Sequence, residues 1–182
     1  MFYKNVIYVI PIFMYGWISF FSGQPIFNNI LYNGYNIVFT AIPVIWFAVF
    51  DWEHDKETFL RNPSLYRIGI ENVFFNDWVF WRWFGYAIWQ GTLLLFLSFY
   101  TIDLAMNKYG KLGCLTLDGN FVFGAIVIIV NVKILISSYQ YTFWAVFWVA
   151  LSIASFFLVF GILTVIHKAK SDLDGEFNHT YG

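Results

Sequence analysis

Charge is scarce in this sequence. Only 12% of its 182 residues are Asp, Glu, Lys or Arg, about half of what a soluble domain of this length carries. The formal net charge of −1 leaves no basic excess to draw nucleic acid. Cysteine is nearly absent: Cys114 alone permits neither an internal disulfide nor a cysteine-based metal site. There is no H-E-x-x-H pair, no aspartate–glycine calcium loop, no Gly-rich phosphate cradle and no G-x-S-x-G elbow. The first apolar run follows Met1 without a basic leader or a small-residue cleavage site. It reads as a retained span rather than a signal peptide.

What is present is apolar and aromatic. Hydrophobic residues make up 60% of the chain and aromatics 24%, with nine Trp, twelve Tyr and 23 Phe, and the mean hydropathy is +0.65. Lipid-facing helices with aromatic belts hold such numbers better than one aqueous core does. Crossing the hydrocarbon takes about 20 helical residues. Stretches near that length predict an all-α polytopic transmembrane helix bundle of about five spans, over residues 6–21, 35–50, 79–100, 121–139 and 142–166. Pro11 and Gly16 fall inside the first and Pro43 inside the second, which membrane helices tolerate when neighbours satisfy the freed backbone. Ser22-Gly23-Gln24-Pro25 reads as a turn, and 51–78 as a polar loop.

Five spans put the ends of the chain on opposite sides. Lys4, Lys56, Arg61, Arg67 and Arg82, joined by Lys133, face Lys108, Lys111, Lys168 and Lys170 across the membrane. The positive-inside rule therefore favours a cytoplasmic 51–78 loop. The sequon Asn178-His179-Thr180 falls on the other side, in keeping with a luminal or extracellular tail.

Candidate functional residues are few. Asp51, Glu53, His54, Asp55 and Glu57 form the one group that resembles a metal site. Without a convergent second histidine it reads as a solvated loop at a helix end, and no metal ligand is assigned. Polar residues within or beside the spans carry more weight, because lipid makes them costly. Lys4 and Asn5 open the first span, Asn36 the second; Gln90 lies in the third, Asn131 and Lys133 in the fourth. By itself Lys4 reads as a side chain snorkelling to the interface. Gln90, Asn131 and Lys133 read as interhelical hydrogen-bonding groups, with a transport role as the alternative.

Several motifs together resemble one family. Phe2-Tyr3-Lys4-Asn5 resembles the FYKN signature in the fifth membrane helix of type IV P-type ATPases, the phospholipid flippases. Phe21-Ser22-Gly23-Gln24 is similar to that family's FSGQ turn, and Tyr35-Asn36 with Phe39-Thr40-Ala41-Ile42-Pro43 to its sixth helix. Phe50-Asp51, Asn62-Pro63-Ser64-Leu65-Tyr66 and Asn76 through Phe80-Trp81 resemble the following loop and the entry to the seventh helix. Lys133 and Phe160-Gly161 are lesser echoes. The match is specific up to Trp81 and extends in length and position over the chain.

The resemblance implies the fifth to ninth helices of an ATP-driven translocase that moves phospholipid between leaflets. It places Lys4, Asn5 and Asn36 along the lipid pathway and Ser22, Gly23 and Gln24 in an exoplasmic turn. A cation there can pair with a lipid phosphate or carboxylate, and amides offer both donors and acceptors. For the full-length family it implies ATP and Mg2+, a eukaryotic plasma membrane or endomembrane, and in many members a two-span glycosylated accessory subunit. The phosphorylated aspartate, the nucleotide-binding and actuator domains and the first four helices find no match here. The first run, 16 residues or about 24 Å, falls short of a ~30 Å core. The chain is therefore expected to be a C-terminal membrane portion that binds no cofactor itself. The alternatives are a flippase-derived scaffold or assembly protein without enzymatic activity, and an unrelated small transporter or channel using Asn131 and Lys133.

Overall fold

A computed structural model of the protein describes residues 2–54, 56–62, 64–70, 76–103 and 115–180. Asp55, Lys108, Lys111 and Cys114, considered above, lie outside them. Among the described residues the regular structure is entirely helical. The chain opens with α1 (Phe2–Ile18), which carries Pro11 without ending there. At its end Phe21 N–H donates to the Gly16 carbonyl at 2.8 Å and Phe20 N–H to that of Trp17 at 3.4 Å. This is the paired bonding of a Schellman stop. Phe20 and Phe21 take φ of 50° and 53°, left-handed values that cost a side-chain-bearing residue about 1–2 kcal/mol each. Gly23, at φ 80°, completes the expected turn without that cost.

The second span departs from its expected bounds. Asn28 caps the next helix, its Oδ1 accepting from Ile30 N–H at 2.9 Å, so the span starts at Asn29 rather than at residue 35. It runs as α2 (Asn29–Gly34), a π turn (Tyr35–Phe39) and α3 (Ala41–Phe50), which form one apolar stretch of 22 residues. The polar loop contains two short helices, α4 (Lys56–Arg61) and α5 (Leu65–Ile70). Three long helices follow: α6 (Asp77–Asp103), α7 (Leu115–Ser137) and α8 (Phe143–Thr180).

Among the described residues three segments are long and apolar enough to cross a membrane: Asn29–Phe50, Asp118–Ser137 and Phe143–Ile166. Five were expected. Helix α1 has 17 residues, about 26 Å at the usual rise. Helix α6, at 27 residues, is long enough but carries Asp77, Arg82, Gln90 and Asp103.

Phe123 on α7 is the packing centre. Its ring meets Tyr8, Phe27, Tyr35 and Phe39 edge-on at centroid distances of 5.4–6.0 Å and stacks on Phe156 of α8 at 5.7 Å. Tyr8 and Tyr35 in turn stack at 4.2 Å with their planes 9° apart. One ring thus ties α1, the π turn and α8 to α7. The arrangement uses the edge-positive, face-negative character of aromatic rings. Close helix approaches depend on absent side chains. A β-carbon at Gly119 would lie 1.9 Å from the Ile26 carbonyl oxygen, so α7 could not meet the turn after α1 with any other residue there. At the other end of α7, the Asp51 carboxylate accepts from Ser138 Oγ at 2.9 Å and from the Tyr139 and Gln140 amides at 3.0 Å. It clasps the end of α3 to the α7–α8 turn.

Truncating the central ring therefore loosens several helices together. Phe123→Ala is expected to lower stability by about 3–5 kcal/mol, read as unfolding of the purified chain in mixed detergent micelles. A loss below about 1 kcal/mol would contradict a central role.

Candidate functional site

Proline explains the shape of the second span. Pro43 has no N–H to give the carbonyl four residues back, that of Phe39. In a membrane such a carbonyl needs a partner from elsewhere. Two neighbours supply one: Asn131 Nδ2 on α7 donates to the Phe39 oxygen at 3.0 Å, and the Ser152 hydroxyl on α8 also donates to it. Asn131 Nδ2 further reaches the Val127 carbonyl at 2.9 Å. Both side chains are buried. Asn131 is thus the interhelical hydrogen-bonding group that its position suggested.

Immediately before the break, Lys4 enters a closed ring of bonds. Its Nζ donates to Thr40 Oγ1 at 3.1 Å, and that hydroxyl donates to the Tyr35 carbonyl at 2.8 Å. The Tyr35 phenol returns to α1, donating to the Lys4 carbonyl at 2.7 Å. Thr40 is fully buried and Lys4 half-buried. The amine therefore turns inward to the π turn instead of snorkelling outward.

Lys133 is held differently. Its Nζ lies 3.8 Å from the centre of the Tyr3 ring, 4.6 Å from Trp83 and 5.7 Å from Tyr86, a three-sided aromatic box contributed by α1 and α6. This is cation–π bonding in place of the expected hydrogen bond. The Tyr3 phenol also donates to Gln90 Oε1, which makes Gln90 an α1–α6 link. Among the described residues no carboxylate comes within ion-pair distance of Lys4 or Lys133; the one such pair is Arg61–Glu57 at 3.9 Å, on α4.

Both amines line one cavity of about 440 Å³ between α1, α3, α6 and α7. Its walls include Phe47, Val79, Phe80 and Trp83, with Ser137 at the α7 end. The starts of α1 and α6 and the ends of α3 and α7 meet here, so the cavity sits at the end of the bundle that carries the 51–78 loop. Asn5 and Asn36 do not join it. Each sits one residue beyond a member of the Lys4–Thr40–Tyr35 ring, and both are exposed. Ser22, Gly23 and Gln24 are exposed beyond the far end of α1. In the acidic loop, Asp51 is committed to the α7–α8 turn and Glu57 to Arg61. Sequence reasoning missed Thr40 and Ser152, although counting back four residues from Pro43 identifies the carbonyl that Ser152 serves. It also missed the box around Lys133, whose walls come from α1 and α6, far apart in the chain.

These features define a helical membrane protein with a largely apolar, cationic cavity among its helices. Comparison with known proteins narrows the class. The family described as phospholipid-translocating P-type ATPase, C-terminal, matches residues 1–182, and the chain belongs to that family. It is 30% identical over its whole length to the yeast phospholipid-transporting ATPase DRS2, covering 14% of that protein. It is likewise 30% identical to the Arabidopsis thaliana probable phospholipid-transporting ATPase 4 (78% of this chain, 12% of the relative) and to human phospholipid-transporting ATPase IG (72% and 11%). The chain thus spans well under a fifth of the length of these relatives.

The shared Phe39 carbonyl gives a test by double-mutant cycle. Asn131→Leu and Ser152→Ala are each expected to cost about 1 kcal/mol, since one donor remains. The double variant should exceed their sum by about 1 kcal/mol, because it leaves the carbonyl bare. Strict additivity in detergent unfolding would refute the shared role.

Proposed function

We propose that this chain acts as the C-terminal membrane portion of an ATP-driven phospholipid flippase, and that its cationic cavity receives a lipid headgroup phosphate. One observation carries the reading: two lysine amines, with no carboxylate in ion-pair range among the described residues, line the same largely apolar cavity. A charge in such surroundings is costly and is retained where it meets a counter-charge. A phosphate offers several acceptor oxygens to both amines at once. The Lys4–Thr40–Tyr35 ring would hold the first amine in place. Asn5 and Asn36, exposed beside that ring, would meet a lipid travelling along the outside of the bundle.

On this reading α1 and α6 cross the bilayer together with the three more apolar segments, giving a multi-pass protein of a eukaryotic plasma membrane or endomembrane. On the same reading ATP and Mg2+ would act elsewhere in the full-length protein. A two-span accessory subunit would find the exposed Ser22–Gly23–Gln24 turn accessible.

Two experiments test the proposal. The purified chain in nanodiscs should bind short-chain phosphatidic acid saturably, and Lys4→Ala with Lys133→Ala should weaken that binding at least about tenfold, the value of one charge-assisted contact. Equal binding by both proteins would sink the headgroup site. The chain alone should insert in membranes without hydrolysing ATP; measurable Mg2+-dependent hydrolysis would overturn the division of labour.

A further inference from the structure

Tyr3, Trp83 and Tyr86 surround an ammonium with ring faces, and the ammonium they surround belongs to the protein itself. Boxes of this kind favour cations with little hydration, quaternary ammonium above all, because the ring quadrupole returns what desolvation removes. A primary amine such as that of Lys133 is a compact, strongly hydrated charge on a flexible four-carbon stem. It is the weaker kind of occupant, and its flexible stem is rooted in the cavity wall. Lys4 differs: a hydrogen bond to a fully buried Thr40 fixes its amine.

Resting on the headgroup site proposed above, we propose that the box is a recognition site for the ammonium of a zwitterionic phospholipid, held closed by Lys133 as a built-in stand-in. A phosphate arriving at Lys4 would draw the Lys133 amine towards itself. The vacated rings would then take the positively charged end of the same headgroup. The exchange substitutes one cation–π contact for another and adds an ion pair. A lipid with phosphate alone gains the ion pair but leaves the box without a cation. A free cation without phosphate gains nothing that displaces Lys133. The site therefore prefers headgroups bearing both charges, trimethylated ones most.

The test uses the whole chain in detergent with tetramethylammonium chloride as the probe and Trp fluorescence as the readout. Wild type should bind it weakly. Lys133→Met, which empties the box of charge, should bind at least tenfold more tightly, and Lys133→Arg, which refills it, should not. Adding Trp83→Leu to Lys133→Met should abolish the gain, whereas Trp83→Phe, which keeps a ring, should retain part of it; helicity by circular dichroism confirms folding of each variant. Equal affinity of wild type and Lys133→Met would overturn the proposal, as would a gain that survives Trp83→Leu. Because tetramethylammonium carries no phosphate, this outcome is independent of the phosphatidic acid result. If phosphatidic acid fails to bind while Lys133→Met gains tetramethylammonium, the headgroup reading falls and the box stands. In the opposite case the phosphate site stands and the stand-in role falls. With both intact, nanodiscs of phosphatidylcholine should be favoured over phosphatidic acid by wild type but not by Trp83→Leu.

Discussion

A proline in the middle of a membrane helix strips one carbonyl of its partner, and hydrocarbon offers no water to replace it. Here the carbonyl is that of Phe39, and the bundle is arranged around satisfying it. Asn131 comes from α7 and Ser152 from α8, so a single oxygen brings three helices to one point. Both donors are fully buried polar groups that would themselves be costly without this acceptor. The bond is thus reciprocal: the break needs the donors and the donors need the break.

The same break sets the geometry one turn earlier. Residues 35–39 widen into a π turn, and the Thr40 hydroxyl donates to the carbonyl five residues back. That leaves its oxygen lone pairs facing α1, where Lys4 arrives. In a π turn the residue 40 amide reaches the Tyr35 carbonyl five residues back, and the Thr40 hydroxyl adds a second bond to the same oxygen. The hydroxyl that holds one cavity lysine thus sits three residues before Pro43, beside the break. Phe123 closes the other side, seating against Tyr35 and Phe39 so that the widened turn is packed and not hollow.

Much of this fold was legible in composition and spacing, because membrane helices announce themselves by apolar length. The 121–139 and 142–166 runs correspond closely to α7 and the first part of α8. The helix of the second span begins before the expected residue 35, since Asn28 caps a helix whose early residues, Asn29 and Asn33, look like loop. The two short helices in the polar loop carry no long periodic signal. At the site, Lys4 and Lys133 stand out because charge is rare in such a chain, and Asn131 because a polar amide inside an apolar span is costly. Their partners did not stand out. Threonine, serine and tyrosine are unremarkable in a membrane helix, and only the crossing of α1, α6 and α7 turns Tyr3 and Trp83 into walls around an amine from elsewhere. Asn5 and Asn36 were grouped with Lys4 by motif, yet adjacency on a helix directs neighbouring side chains about 100° apart, and the structure exposes both.

The two lysines are alike in charge but not in how they are held, and the difference matters more than the similarity. A hydrogen bond to a buried hydroxyl is directional, so displacing the Lys4 amine breaks a defined geometry and disturbs the Thr40–Tyr35 link behind it. A cation over aromatic faces is held by no directional hydrogen bond, so another cation can take its place. On the proposed reading one amine is anchored beside the backbone break and the other is exchangeable. Fixed charge suits the task of marking where an anion stops; exchangeable charge suits the task of responding once it has stopped. A cavity with two anchored lysines would bind without responding, and one with two exchangeable lysines would have no fixed point to bind at. On the proposed reading, pairing an anchored with an exchangeable cation around a single apolar space would let this part of the bundle register the arrival of a headgroup.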